Sequence, residues 1–362
     1  MITSKGRLIA ISSAAILVLA ACSTGTGGSP SAAAPSTAAT EAASAPAGSP
    51  AAAALNAAYI PKDIVNQYFA AALDGANKAA GELGGKVEQS GPNEADAALQ
   101  IPFITDAATK GVNAIIISAD GKDEVAPALK EAMGKGIKVV GFDSSPAVGA
   151  YDVFVNQVDF SGVGVNLAEW ACELAPDCTG EIAILSAAAT ATNQNEWIDL
   201  MKKTLTEDPK FAKLKLVDTV YGNDDATEST NQANALLSKH PDLKVIVAPT
   251  TVGILAAAQV VSGKKLQDSV KVTGLGFPHD MKPFVKDGTS PVYGLWSVPD
   301  LGYLATYVAD LLVKGEITGA EGETFTVPSL NGGQPYTIGA DGVVTLGPAF
   351  RFDETNVDTV YF

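Results

Sequence analysis

"GVNAIIISADGKDEVAPALKEAMGKGIKVVGFD", residues 111–143, holds two strands and the helix that joins them. "VNAIIIS" and "IKVVGFD" are apolar almost throughout, so neither alternates as a strand with one wet face would. Strands of that kind are covered on both faces, and "KDEVAPALKEAMGKG" is the helix that carries the chain back for a second, parallel strand.

The same alternation extends in both directions. Upstream, an apolar lead-in from Leu55 to Pro61 precedes a helix whose Phe69, Leu73, Ala76, Ala80 and Leu83 recur at steps of three and four. Gly84-Gly85 stops that helix, "KVEQSG" follows as a strand, and "EADAALQIPFITDAATKG" as a helix capped by Asn93. After about residue 160 the pattern restarts. Helices are expected in "SGVGVNLAEWACEL", "QNEWIDLMKKTLTE", "ATESTNQANALLSK", "GILAAAQVVSG", "DMKPFVKDG" and "LGYLATYVADLLVKG"; strands in "GEIAILS", "KLVDTVYG", "LKVIVAP", "VKVTGLGF" and "PVYGLWSV". Hairpin-like patches, "TFTVPS", "PYTIG" and "VVTLG", close the chain. The expected fold class is α/β, with two doubly wound Rossmann-like lobes: residues 55–155 with 299–318, and residues 156–298 with 319–362. Three crossings would join them, near Asn156–Gln157, Trp296–Pro299 and Gly315–Glu323. Sheets of this type take ligands beyond the carboxyl ends of their strands.

Ahead of the lobes, residues 1–22 have the layout of a secretory signal: Lys5 and Arg7, then the apolar run "LIAISSAAILVLAA", too short to span a bilayer comfortably. "LAAC", Leu19 to Cys22, resembles a bacterial lipobox, which makes Cys22 the expected lipidation site and the membrane contact a lipid anchor. Residues 23–54, rich in Ala, Ser, Pro, Thr and Gly with Glu41 as the single charge, have nothing to bury and are expected to form a disordered tether. The formal net charge of −16 argues against nucleic acid, whose phosphates call for a basic patch. Cys172 and Cys178 are expected to form a disulfide in an exported chain, two buried thiols being the alternative. On one unbroken helix their Cα atoms would stand roughly 9 Å apart, too far to bridge, but Pro176 ends the helix between them.

The strand ends carry the functional signal. Lys62, Asn66, Tyr68 and Phe69 follow the first strand; Ser118 and Asp120 follow "NAIII"; Asp143 follows "KVVGF". Asn156, Gln157, Thr192, Asn193, Gln194, Asn223, Asp224, Asp225, Pro249, Thr251, Trp296, Ser297 and Asp300 occupy the later ones. Amides both donate and accept, carboxylates accept paired hydroxyls, Lys62 donates to ring or hydroxyl oxygens, and aromatic faces match the C–H face of a sugar. Phosphate would need glycine loops and clustered basic residues. Each residue also has a plainer role: Lys62 on the surface, Asp143, Asn193 and Gln194 as helix caps, Asp224 or Asp225 as the cap of "ATESTNQ", Phe69 and Trp296 in the core.

"IPKDIVNQYFAAALDGANKAAGELGG", "GFDSS", "VNQVDFSGVGVNLAEW", "ATATNQNEW", "YGNDDATEST" and "GLWSVPDLG" together resemble the type 1 periplasmic solute-binding proteins. Within that group they are similar to the branch of the autoinducer-2 receptor and the rhamnose-type sugar receptors. The resemblance covers residues 55–362 and rests on the ordered sum of these segments. It implies a sugar ligand held between the lobes, with contacts from Lys62, Asp143, Asn193-Gln194 and the Pro249-Thr250-Thr251 segment. It further implies that rings like Tyr68 and Phe69, and a residue like Asp300, lie against the sugar. Asn193 stands where the autoinducer-2 receptors have Asp, and Thr251 where they have Ala. A charge-assisted acceptor is lost and bulk is added, so a rhamnose-like or other monosaccharide fits better than autoinducer-2. The implied partner is an ABC transporter permease, with a sugar-sensing role beside a membrane kinase as the alternative, and the implied state a monomer. No enzyme, metal site or cofactor is expected: the two histidines, His240 and His279, lie in no metal pair, and there is no nucleophile elbow or P-loop.

Overall fold

Residues 53–360 are described in the structure, a computed structural model, with Phe160 and Ser161 described by backbone only. The expected leader, Cys22 and nearly all of the tether lie outside them.

The opening segment folds as expected, with β3 (Ala114–Ile117), α3 (Lys122–Gly134) and β4 (Lys138–Phe142) in succession. They join β1 (Asn56–Ile60), α1 (Gln67–Leu83), β2 (Lys86–Gln89), α2 (Ala97–Lys110) and β5 (Val153–Asn156). The first sheet has the order β13-β5-β4-β3-β1-β2, every pair parallel, where β13 is Val343–Thr345. Its residues alternate between two cores. Tyr59, Ile116, Val140 and Phe142 face one, while Ile60, Ile115, Ile117 and Val139 face the other. Both faces are dry, which is why the strands carry no polar alternation.

The second lobe runs α4 (Phe160–Leu174), β6 (Gly180–Ser186), α5 (Thr192–Glu207), β7 (Leu214–Tyr221), α6 (Ala226–Lys239), β8 (Leu243–Ala248), α7 (Thr251–Gly263), β9 (Lys271–Gly274) and α8 (Pro278–Lys286). Its sheet, β7-β6-β8-β9, is also parallel, and an isolated bridge from Leu275 to Gly294 extends it to β10 (Tyr293–Leu295). Cys172 and Cys178 form a disulfide at the end of α4, with Pro176 starting a 3-10 turn between them.

α9 (Val298–Lys314) brings the chain back onto the first sheet, packed against α1. The two helices touch backbone to backbone: a Cβ on Gly302 would lie 1.8 Å from the Ala72 carbonyl oxygen, and one on Gly75 equally close to that of Pro299.

Two expectations are corrected. Asp96, not Asn93, caps α2, accepting from the Ala98 N–H at 2.7 Å; the cap must stand directly before the first turn, and Asn93 lies upstream in the loop. The closing segment 319–362 does not belong wholly to the second lobe. β11 (Thr324–Phe325) and β12 (Tyr336–Thr337) pair antiparallel, then β13 lies parallel to β5 in the first sheet. Only β14 (Phe350–Phe352) returns, antiparallel to β10. The third crossing therefore falls at residues 346–349, after Thr345, and not at Gly315–Glu323. Hydrogen bonding decides this, because β5 would otherwise be an open edge that an extended segment readily fills.

Because the α1–α9 contact admits no side chain, Gly302→Ala should destabilise the protein by about 1–3 kcal/mol in urea denaturation. Gly81→Ala, on α1 with open space around it, should instead stabilise by up to about 1 kcal/mol; equal effects at both positions would mean that the close approach is unimportant.

Candidate functional site

In both sheets the strand order reverses beside the first strand, between β1 and β3 and between β6 and β8. Loops there diverge to opposite faces and leave a crevice at the carboxyl ends. The two crevices face each other.

On the first lobe, Asp63 bends the chain between β1 and α1, its Oδ1 accepting from the N–H groups of Val65 at 3.0 Å and Asn66 at 2.7 Å. Asn66 then caps α1 by accepting from the Tyr68 N–H. The mixture of charge, amide and rings at this junction thus folds into a turn that delivers Lys62, Tyr68 and Phe69 to one place. Gln100, wholly buried on α2, fastens the neighbouring loops: Nε2 donates to the carbonyls of Pro61 and Ser118, and Oε1 accepts from the Asp120 N–H.

Asp143 directly follows β4 in a left-handed conformation, φ 58°, which Asp tolerates better than most residues. Its Oδ2 accepts from the Ser118 hydroxyl at 2.7 Å, and its Oδ1 from the Tyr68 hydroxyl at 3.1 Å and from Gln157 Nε2 at 3.4 Å. Burial, and then the Asp143 charge, holds Tyr68 well above the ordinary phenol range, so that hydroxyl stays a donor.

The second lobe answers from the first turn of α5. Asn193 Nδ2 donates to Asp143 Oδ1 at 3.1 Å, while its Oδ1 accepts from Lys62 Nζ at 3.2 Å. Lys62 Nζ also lies 3.8 Å from Asp143 Oδ2. Gln194 Oε1 accepts from the Ser186 hydroxyl and the Ala187 N–H, locking α5 to the end of β6. Trp296 Nε1 donates to the Tyr68 hydroxyl at 2.9 Å, and Thr190 donates to Asp120 across the same gap. Asn223 and Asp224 both take left-handed backbone after β7, which turns the Asp224 carboxylate inward to accept from Thr250.

These groups line a cavity between the lobes. Of the residues singled out in the sequence, Lys62, Asn66, Tyr68, Phe69, Asp143, Asn193, Gln194, Pro249, Thr251 and Trp296 line it. Asp300 does not. It sits half-buried in the first turn of α9, beyond the hinge, its backbone N–H donating to Ser297 Oγ and its charge felt by Lys78 and Tyr336. Among the described residues no group of three or more His, Cys, Asp or Glu is placed to hold a metal ion.

A family model described as a periplasmic binding protein domain matches residues 57–317. The chain belongs to the periplasmic binding protein family. It is similar to an ABC transporter solute-binding protein from Clostridium phytofermentas with bound L-rhamnose: 39% identity over 84% of this chain and 98% of that one, TM-score 0.81. It is also similar to LsrB from Clostridium saccharobutylicum in complex with AI-2, with 26% identity over 84% and 99% of the two chains and TM-score 0.78. A D-ribose/D-allose-binding protein of Pseudomonas aeruginosa is 27% identical over 64% of this chain and 73% of its own. These relatives are binding proteins, not enzymes, and the chain is a type 1 sugar-binding protein of the ABC-transporter class. The family places it outside the cytoplasm.

Trp197, Leu275 and Leu295 of this periplasmic binding protein also line the cavity without having been singled out in the sequence, while Asp224, collected as a strand-end residue, and Thr250, within the Pro249–Thr251 segment, complete the lining. Asp225, not Asp224, caps α6. Trp197 lies one helical step beyond Gln194, a spacing that would have found it. Leu275 follows β9 and Leu295 ends β10, but a search for polar groups passes over them. Burial pushes the Asp224 carboxyl up to about 6, against the pull of Thr250 and Lys62 and with the help of Asp63 and Asp120.

With an ordinary carboxyl value near 3.9, the folded protein holds a proton on Asp224 between about pH 4 and 6 that the unfolded chain has released. The stability due to Asp224 is therefore present at low pH and lost as pH rises through about 6. Urea denaturation of the wild type and Asp224→Asn should show the variant gaining relative stability from pH 5 to pH 7. A constant difference would mean that Asp224 titrates normally.

Proposed function

We propose that the protein is a lipid-anchored receptor that captures one monosaccharide, rhamnose-like or closely related, in the interlobe cavity and delivers it to an ABC transporter permease. The observation that carries this reading is the meeting of Lys62 and Asp143 from one lobe with Asn193 from the other, in a cavity walled by Tyr68, Phe69, Trp197 and Trp296. Carboxylates and amides suit paired hydroxyls, and aromatic faces suit the C–H face of a ring. The similarity to a protein with bound L-rhamnose supports the sugar class. The similarity to LsrB keeps autoinducer-2 as the second reading, but Asn193 and Thr251 weigh against it.

Closure follows from the same contacts. A sugar engaging both lobes favours the closed arrangement by its differential affinity for it, and closure aligns both lobes for a permease. Micromolar capture requires about 8 kcal/mol, within reach of a few charge-assisted bonds plus ring packing.

Against a panel of pentoses, deoxyhexoses and autoinducer-2, one ligand at a hundredfold excess over its Kd should stabilise the protein by about 2.7 kcal/mol. Asp143→Asn, which keeps a residue tolerant of left-handed backbone, should weaken that ligand about 10- to 100-fold, the loss of one or two charged hydrogen bonds. A flat response across the panel would refute the assignment. Separately, Cys22→Ala should move the protein in cells from the membrane fraction to the soluble one; unchanged membrane retention would refute the lipid anchor.

A further inference from the structure

We infer that the cavity selects a ring bearing a methyl group, in preference to a hydroxymethyl group or hydrogen, and that Leu275 and Leu295 read it. The inference rests on the monosaccharide reading above and refines it.

The cavity has two unlike sides. Lys62, Asn193 and Asp143 form one hydrogen-bonded run that spans the lobes, and Thr250 and Asp224 add a second bonded pair to the lining. Leu275 and Leu295 belong to the other side. Strands β9 and β10 are tied where the Gly276 N–H donates to the Gly294 carbonyl at 3.0 Å, so the two leucines project from neighbouring backbone. They are 2% and 0% exposed. Trp296 follows Leu295 directly, with Trp197 tilted against it at 5.6 Å and Tyr68 edge-on at 6.4 Å between ring centroids. Two polar groups beside this wall are engaged with each other: Trp296 Nε1 donates to Tyr68, whose hydroxyl donates to Asp143. Pro249, also in the lining, has no N–H. A hydroxymethyl oxygen set against the two leucine side chains would leave water and gain no partner from them, and a bare C–H would leave the wall unfilled. A methyl group does neither.

Isothermal titration of the intact protein with matched sugars tests this directly. The series are L-lyxose, L-rhamnose and L-mannose; D-arabinose, L-fucose and L-galactose; and D-ribose, 6-deoxy-D-allose and D-allose. Within each, only the substituent at one ring carbon changes, from hydrogen to methyl to hydroxymethyl. In the series that binds most tightly, the methyl member should exceed each of the others about 10- to 100-fold, the range that a hydrophobic pocket achieves for one methylene or one added hydroxyl. A hydroxymethyl or unsubstituted member binding as tightly overturns the inference and leaves the sugar reading standing. No binding by any member overturns both. Leu275→Asn, its fold checked by circular dichroism, should narrow the methyl-to-hydroxymethyl ratio at least several-fold; an unchanged ratio in the folded variant removes Leu275 from the role.

Discussion

Asp143 carries a carboxylate into a space almost closed to water, and the arrangement of the cleft follows from the need to satisfy it. An isolated buried charge would cost far more than a protein of this size can spare, so the group must be surrounded by donors. Ser118, Tyr68 and Gln157 supply them from the first lobe and the hinge, Asn193 from the second, and Lys62 supplies the opposite charge. Tyr68 then draws in Trp296. One carboxylate thereby orients the aromatic wall, the cation and the contact between lobes.

The network works because its members are held rigidly by ordinary secondary structure. Parallel strands β1, β3 and β4 end side by side, so residues separated by some eighty positions meet at one edge. Gln100 ties two of those ends together, and the glycine contact between α1 and α9 fixes the helix that carries Tyr68 against the one that follows Trp296. None of these positioning groups reaches the cavity itself. Their task is to keep the lining in register, as a shell of supporting hydrogen bonds does in any preorganised site. The cleft is also acidic toward its mouth, with Asp63, Glu94, Asp96, Glu124 and Glu228 lining the adjoining groove, which suits a neutral ligand better than an anionic one.

Most of the lining was legible because a parallel sheet states in advance where its ligand lies. Lys62, Asp143, Gln194 and Pro249 could be collected from their place just beyond apolar runs. Asp300 was misplaced because the last helix starts at the hinge, and a short stretch of sequence does not say on which side of a crossing its residues turn. Leu275 and Leu295 were missed because an apolar residue at a strand end looks the same in sequence whether it faces core or cavity. The closing strands resisted for a related reason: β13 and β14 are three residues each, too short for periodicity to assign them a partner.

By itself the sequence determined the alternation of buried strands and helices, hence two parallel sheets with their polar residues gathered at one edge, since burial on both faces fixes the pattern of every strand. Tertiary structure alone decided which lobe receives the last strands, which of two adjacent aspartates turns inward, and which leucines border the cavity. Those outcomes depend on hydrogen bonds and backbone angles between segments far apart in the chain, and no local stretch of sequence records them.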